Sequence, residues 1–362
     1  MQLVQQLPDN PIDIIGDIHG EISALTALLK HLGYSADGKH LSNRKLVFVG
    51  DLIDRGPDSP GVVRHVQHLI QQGNAYAILG NHEINLLIGD SKDGAGWFFP
   101  ERYDSDLNFY APFKRVTTEQ HDNIREFLLS LPLILERDDI RIVHAAWTAD
   151  AANAVRTAGS QPVDVLYQQW DDKARNIAEE SGLYQRYQAE KKQWKKQLEN
   201  GNYPMPMLEA IAHYDATQQM VNPIKILTSG VEAPAKTPFF VGNRWRFSDR
   251  VKWWESYSEK IPVVIGHYWR LYRSTLQPDA PRYTQLFRDI PPGSWHGCLG
   301  NVMCIDYSVG ARWRDRRNKQ STQGSRFRLA ALRWPENILV FDSGEQVATQ
   351  GYGEPGGYAI ST

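Results

Sequence analysis

The stretch Ile12-Asp13-Ile14-Ile15-Gly16-Asp17-Ile18-His19-Gly20 is a short apolar run that stops at a glycine and gives way to an acid and an imidazole. The same pattern returns twice. Residues 46–49 run into Gly50-Asp51-Leu52-Ile53-Asp54-Arg55-Gly56, and residues 75–79 run into Gly80-Asn81-His82-Glu83. Short apolar runs bounded by glycine read as buried strands. Between them Ile22, Leu25, Leu28, Leu29 and Leu32 recur at helical spacing, as do Val62, Val63, Val66, Leu69 and Ile70. Asp17 precedes Asp51 by 34 residues and Asp51 precedes Asn81 by 30, the length of a strand-helix-strand repeat. An α/β fold follows, with the polar strand ends gathered along one edge, where open sheets place ligands.

Working outward, residues 133–136, 141–143, 263–265 and 302–305 predict a second group of strands, and residues 326–333 pair with 338–341 across Pro335-Glu336-Asn337. Two of these runs end in further imidazoles, Val143-His144 and Ile265-Gly266-His267. The stretch between His144 and Ile261 is non-repetitive and in part helical, with Leu183, Tyr187, Trp194 and Leu198 on one face, and reads as a cap. Trp170, Tyr184, Tyr187 and Trp194 are expected in the core of that cap. The glycine-rich tail 351–362 reads as a loose end.

Composition narrows the function. In 362 residues, 40 Lys and Arg face 42 Asp and Glu, so no global field favours nucleic acid or an anionic membrane. Two cysteines, Cys298 and Cys304, are too few for a disulfide framework, and the first residues lack a leader-like apolar run, so the expected address is cytoplasmic. Neither cysteine is followed by an Arg at the spacing a thiol-dependent phosphatase needs. The basic stretch Arg312, Arg314, Arg316, Arg317, Lys319, Arg326 and Arg328 reads as a solvated loop. The strand ends are more informative, because carboxylate, imidazole and amide oxygen together suit a borderline divalent metal such as Mn, Fe, Zn or Co.

The order Gly-Asp-x-His-Gly, Gly-Asp-x-x-Asp-Arg-Gly, Gly-Asn-His-Glu, a strand-end His and then Gly-His resembles the calcineurin-like metallophosphoesterases, within them the phosphoprotein phosphatase group. Arg250-Val251-Lys252-Trp253-Trp254, Gly266-His267-Tyr268-Trp269 and Asp306-Tyr307-Ser308-Val309 are similar to an uncharacterised bacterial branch of it. The resemblance implies a two-sheet β-sandwich flanked by helices, a single domain over residues 1–362 with a largely helical cap insertion at 150–255. It implies two divalent metal ions, Mn first, with Fe, Zn, Co or Ni as alternatives. Asp17, His19 and Asp51 would hold one, and Asp51, Asn81, His144 and His267 the other, with a metal-bridging hydroxide as nucleophile. Arg55 and Asn81 would bind substrate phosphate, and His82 would act as general acid held by Asp54. Arg250, with Arg246 behind it, would complete the phosphate site.

The activity expected is hydrolysis of a phosphomonoester of the serine/threonine protein phosphatase kind. The alternative is hydrolysis of dinucleoside polyphosphates such as diadenosine tetraphosphate, and a second alternative is nucleic-acid end processing. Glu83 leans toward the phosphatase group, since the nucleotide enzymes often carry Asp there. The Arg that commonly precedes Gly-His in eukaryotic members is absent, so protein-phosphatase specificity does not follow automatically. The expected partner is therefore a phosphoprotein, a small phosphoester or a nucleotide. Nucleic acid is not favoured, and no membrane is expected.

Overall fold

A computed structural model describes residues 2–272 and 286–354. The chain forms two compact units, Ala146–Trp253 and the sequence on either side of it. Of the glycine-rich tail, residues 355–362 lie outside the described residues. Among the described residues, no helix is long and apolar enough to cross a membrane.

The first unit is built on two sheets. One has the order β1 (Val4–Gln6), β5 (Ile134–Arg137), β6 (Ile140–Val143), β9 (Val263–Ile265), β10 (Val302–Cys304). The other has the order β13 (Gln346–Ala348), β12 (Ile338–Phe341), β11 (Ala330–Trp334), β2 (Ile12–Ile15), β3 (Lys45–Phe48), β4 (Ala75–Ala77). Strands β2, β3 and β4 are parallel, with Ile15 opposite Phe48 and Phe48 opposite Ala77, so their C-terminal ends line up. Helix α1 (Ile22–Leu32) makes the first crossover and buries Ala24, Leu25, Leu28, Leu29 and Leu32, the face its spacing predicts. Helix α2 (Ser59–Gln71) makes the second, its start capped by the Asp58 carboxylate, which accepts the Gly61 amide. Ile14, Val47 and Ile78 from one sheet and Ile142, Val264 and Met303 from the other share one buried core. The fold is mixed α/β, two sheets face to face with helices outside.

Several expectations need correction. β4 is shorter than its apolar run, because Leu79 leaves the sheet to donate its amide to the Pro132 carbonyl. β11 starts at Ala330, because the Arg328 amide goes to the Tyr307 carbonyl instead. The basic stretch is a solvated loop only in part: Arg317, Lys319 and Arg326 are exposed, and the others are not. Arg312 is buried and pairs with Asp342 at 2.6 Å, Arg316 pairs with Glu21 at 2.5 Å, and Arg328 with Glu345 at 2.5 Å. Each partner is remote in sequence, so a charge run conceals it.

The second unit contains the helices Ala149–Thr157, Val163–Glu180, Leu183–Gln193, Glu209–Met220 and Pro223–Ser229. It also contains a hairpin, β7 (Glu232–Val241) and β8 (Arg244–Arg250), where a largely helical insertion was expected. Pro234 and Pro238 interrupt the alternation of β7, and its register shifts between Pro234 and Phe239. The predicted helical face also divides, since the helix ends at Gln193. Leu198 packs with Tyr187 and Trp194, while Leu183 joins Ala178 and Ala210. Tyr184, Tyr187, Trp194 and Trp170 are only part-buried, and Tyr187 stacks on Tyr214 at 4.0 Å.

Candidate metal centre

The turns that follow β2, β3 and β4 are tied to one another through the backbone. The amides of Ile18 and His19 both donate to the Asp51 carbonyl, and that of Gly20 donates to Leu52. The Glu83 carboxylate accepts the amides of Asp51, Leu52 and Gly80, each at 2.8 Å. Burial and the Asp51 charge push Glu83 up to about 7. Glu83 is therefore a fully buried clamp between two turns. Its role in this structure is to hold those turns together.

His19, Asp51, Asp54, Arg55 and His267 all have left-handed backbone, with φ between 48° and 73°. Non-glycine residues rarely adopt it, and where they do, the surrounding structure must hold them there. Gly266 is glycine for a different reason, since a Cβ there would lie 2.0 Å from Asp17 Oδ1.

The imidazoles are oriented by carbonyls. His19 donates its Nδ1 hydrogen to Ile53 O at 2.9 Å, and His144 donates its own to Val49 O at 2.7 Å. A carbonyl only accepts, so the Nε2 lone pair of each ring faces the site, as a metal ligand requires. His144 Nε2 lies 3.3 Å from both Asn81 Oδ1 and Asp51 Oδ1, and His267 Nδ1 lies 2.8 Å from Asn81 Oδ1. Burial pulls His144 down, but the Asp51 and Asp17 carboxylates outweigh it and push it up to about 10. Burial pushes Asp51 up, yet His144, His82 and His19 hold it well below the usual carboxylate range. The donor set of carboxylates, imidazoles and an amide oxygen fits divalent cations.

Among the described residues, two groups have ligand atoms within 4.8 Å of one another, His19 with Asp51 and His82, and Asp51 with His144 and His267. Asp51 belongs to both, the position of a bridge. His82 stands in the first group where Asp17 was expected. Asp17 is buried close by and accepts the His267 amide at 3.0 Å. Burial and the Asp306 charge raise it well above the usual range.

His82 Nδ1 meets Asp54 Oδ2 at 2.5 Å, and the Trp97 indole donates to Asp54 Oδ1 at 2.6 Å. The imidazole is thus fixed by Asp54, and Asp54 by Trp97. Asp106 holds the turn before Trp97 by accepting the amides of Gly94 and Gly96. Arg55 donates from Nη1 to His19 Nε2 at 2.9 Å, and its guanidinium carbon lies 4.9 Å from the Trp269 ring centre. The guanidinium carbon of Arg314 lies 5.9 Å from the same centre. Arg250 ends β8 in the second unit, its amide on Asp249 Oδ1, and Arg246 lies on the same strand. Sequence reasoning missed Trp97 and Arg314, which no motif marks. It also passed over the capping role of Glu83, although an acid three residues after a helix start is a recognised capping position. Burial pushes the Cys304 thiol up, away from the thiolate a cysteine phosphatase needs.

Paired metal-ligand groups on the strand ends of an α/β two-sheet fold are what the metallophosphoesterase class presents. The calcineurin-like phosphoesterase family profile matches residues 10–202, and the chain belongs to that family. It is 36% identical over 141 residues to the bis(5'-nucleosyl)-tetraphosphatase PrpE [asymmetrical] of Oceanobacillus iheyensis, covering 37% of this chain and 54% of that one. It is 47% identical over 145 residues to the PrpE of Bacillus velezensis, covering 38% and 57%. The chain thus spans about half the length of these relatives. A cold-active protein-tyrosine phosphatase of a psychrophilic Shewanella aligns over 97% of this chain and 83% of its own, at 15% identity and a TM-score of 0.48.

Proposed function

We propose that this chain hydrolyses dinucleoside polyphosphates such as diadenosine tetraphosphate. The observation that carries the reading is the pair of guanidiniums on Trp269. Arg55 reaches the ligand nitrogen of His19 and so marks the reacting phosphoryl group, while Arg314 offers a second cation on the same ring for the next phosphate. The names of the relatives support the same substrate class. Asp17, His19, Asp51, Asn81, His144 and His267 would hold two divalent cations, which supply a water acidic enough to attack phosphorus near neutral pH. The second phosphate-binding arginine is then Arg314 in the first unit, in place of Arg250.

One observation favours a second reading, hydrolysis of a phosphomonoester such as a phosphoserine side chain. An alkoxide needs a proton as it leaves, and His82 held by Asp54 is built to give one. A phosphate leaving group, with a second pKa of about 6, leaves as an anion without that help. A panel of diadenosine tetraphosphate, p-nitrophenyl phosphate, a phosphopeptide and an end-phosphorylated oligonucleotide, run with Mn²⁺ and with chelator, separates the readings. Fastest chelator-sensitive turnover of diadenosine tetraphosphate is expected. Cleavage of the phosphopeptide with none of the dinucleotide would overturn it.

A further inference from the structure

Asp306 is a buried acid that none of the roles above uses, 1% exposed. It follows β10 closely, so the second sheet delivers it to the strand-end edge. The turn it opens wraps around the first motif. Ile305 O would lie 2.5 Å from a Cβ on Gly16, and a Cβ on Gly310 would lie 2.4 Å from His19 Cδ2. Both contacts leave no slack, so the turn that carries Asp306 is pinned to Gly16 on one side of it and to His19 on the other.

The two carboxylate oxygens of Asp306 are treated differently. Oδ1 accepts the Ser308 amide at 2.7 Å, which fixes the side chain within its own turn. Oδ2 is buried and accepts no hydrogen bond. Buried polar atoms without a partner are rare in folded proteins, and each calls for a use. Arg55 and His144 act on Asp306 electrostatically, and Oδ2 bonds to neither. Of the charges around Asp17, Asp306 acts on it most strongly. Two buried acids whose charges act on one another, one with an open oxygen, form an arrangement that a hydrated cation satisfies.

The geometry points to Asp306 as a positioning residue for the cation at Asp17, its Oδ2 accepting a hydrogen bond from a water on that cation. Contact through water rather than direct ligation follows from how the carboxylate is held. Oδ1 of Asp306 is committed to the Ser308 amide, so the carboxylate cannot turn both oxygens to a cation, and only Oδ2 is left to meet what the cation holds. Outer partners of this kind orient what the metal holds and tune how tightly it is held. The inference rests on the metal reading of the site.

Titrating the metal-stripped, full-length chain with Mn²⁺ by calorimetry tests it, with wild type, Asp306→Asn and Asp17→Asn compared. Wild type is expected to take two ions. Asp306→Asn should still take two, one of them about 10–100-fold more weakly, whereas Asp17→Asn should lose one outright. Affinity in Asp306→Asn equal to wild type overturns the inference, and so does loss of a whole ion, which would make Asp306 a direct ligand. A wild-type chain that takes no divalent ion overturns the metal reading and the inference with it. Thermal melts of the stripped proteins separate positioning from scaffolding. Asparagine keeps an oxygen for the Ser308 amide and removes a charge facing Asp17, so the stripped variant should melt at or above wild type. A lower melting point would assign Asp306 a structural role instead. With Co²⁺ bound, a shift of the d–d bands in Asp306→Asn is a third readout, and unchanged bands count against the inference.

Discussion

The two compact units treat their polar side chains in opposite ways. In the first, Asp17, His19, Asp51, His82, His144 and His267 are all buried and held by amides, carbonyls or carboxylates of other turns. In the second, the helix Leu183–Gln193 buries only Leu183, its tyrosines stack part-exposed, and a cavity of about 270 Å³ is lined by Lys191, Asp215, Glu232, Arg244 and Arg246. Burying ionisable groups is costly unless every one has a partner. The first unit meets that condition for these six because parallel strand ends supply backbone groups from neighbouring turns at one place. The second keeps most of its charges near water, so single changes there should matter less.

The largest break in the comparison should come from Asp51, which both ligand groups share. Asp51→Asn should lower turnover of any substrate by at least about 10⁴-fold, since several kcal/mol of charge stabilisation goes with the cations. Steady-state kinetics with metal content measured on the same sample checks this, and full activity with lost metal would dissolve the two-cation reading. Next comes His82→Ala, which should cost about 10²–10⁴-fold in kcat on an alkyl phosphomonoester. It should cost much less on diadenosine tetraphosphate, whose leaving group needs no proton, and metal should be retained. Equal losses on both substrates would remove that distinction.

Arg314→Ala should raise KM for diadenosine tetraphosphate about 10–100-fold, the worth of a hydrogen bond to a charged group. KM for p-nitrophenyl phosphate should stay within about twofold. If both rise together, Arg314 serves the reacting phosphate instead of the next one. The smallest effect belongs to the second unit. Burial, opposed by Arg244 and aided by Glu232, raises Asp215 to about 6. As pH climbs from the usual carboxylate value to about 6, the unfolded chain ionises at Asp215 before the folded one does, so stability falls across that window. Asp215→Asn should abolish that fall and raise Tm by a few degrees at pH 7, read from melts between pH 4 and 7.

The same contrast governs what was legible in the sequence. The core strands were readable because an apolar run ending in glycine and an acid fits little besides a buried strand and the turn that follows it. β1 and β13 were not, being short, polar and at sheet edges, and the hairpin of the second unit was hidden by Pro234 and Pro238. At the site, Asp17, His19, Asp51, Asn81 and His82 were legible because each sits in a motif at a strand end. Trp97, Arg314 and the buried oxygen of Asp306 were not, because they reach the site from turns with no fixed spacing to those motifs.

Glu83 has a consequence for how the centre comes apart. One carboxylate holds the amides of Asp51, Leu52 and Gly80, which belong to two different turns, so none of these amides meets solvent until all are released. Hydrogen exchange at the three should therefore proceed at a single rate, as one opening unit, slower than in the chain around them. The metal-binding edge is in this sense not an assembly of adjustable arms but a single latch, closed or open.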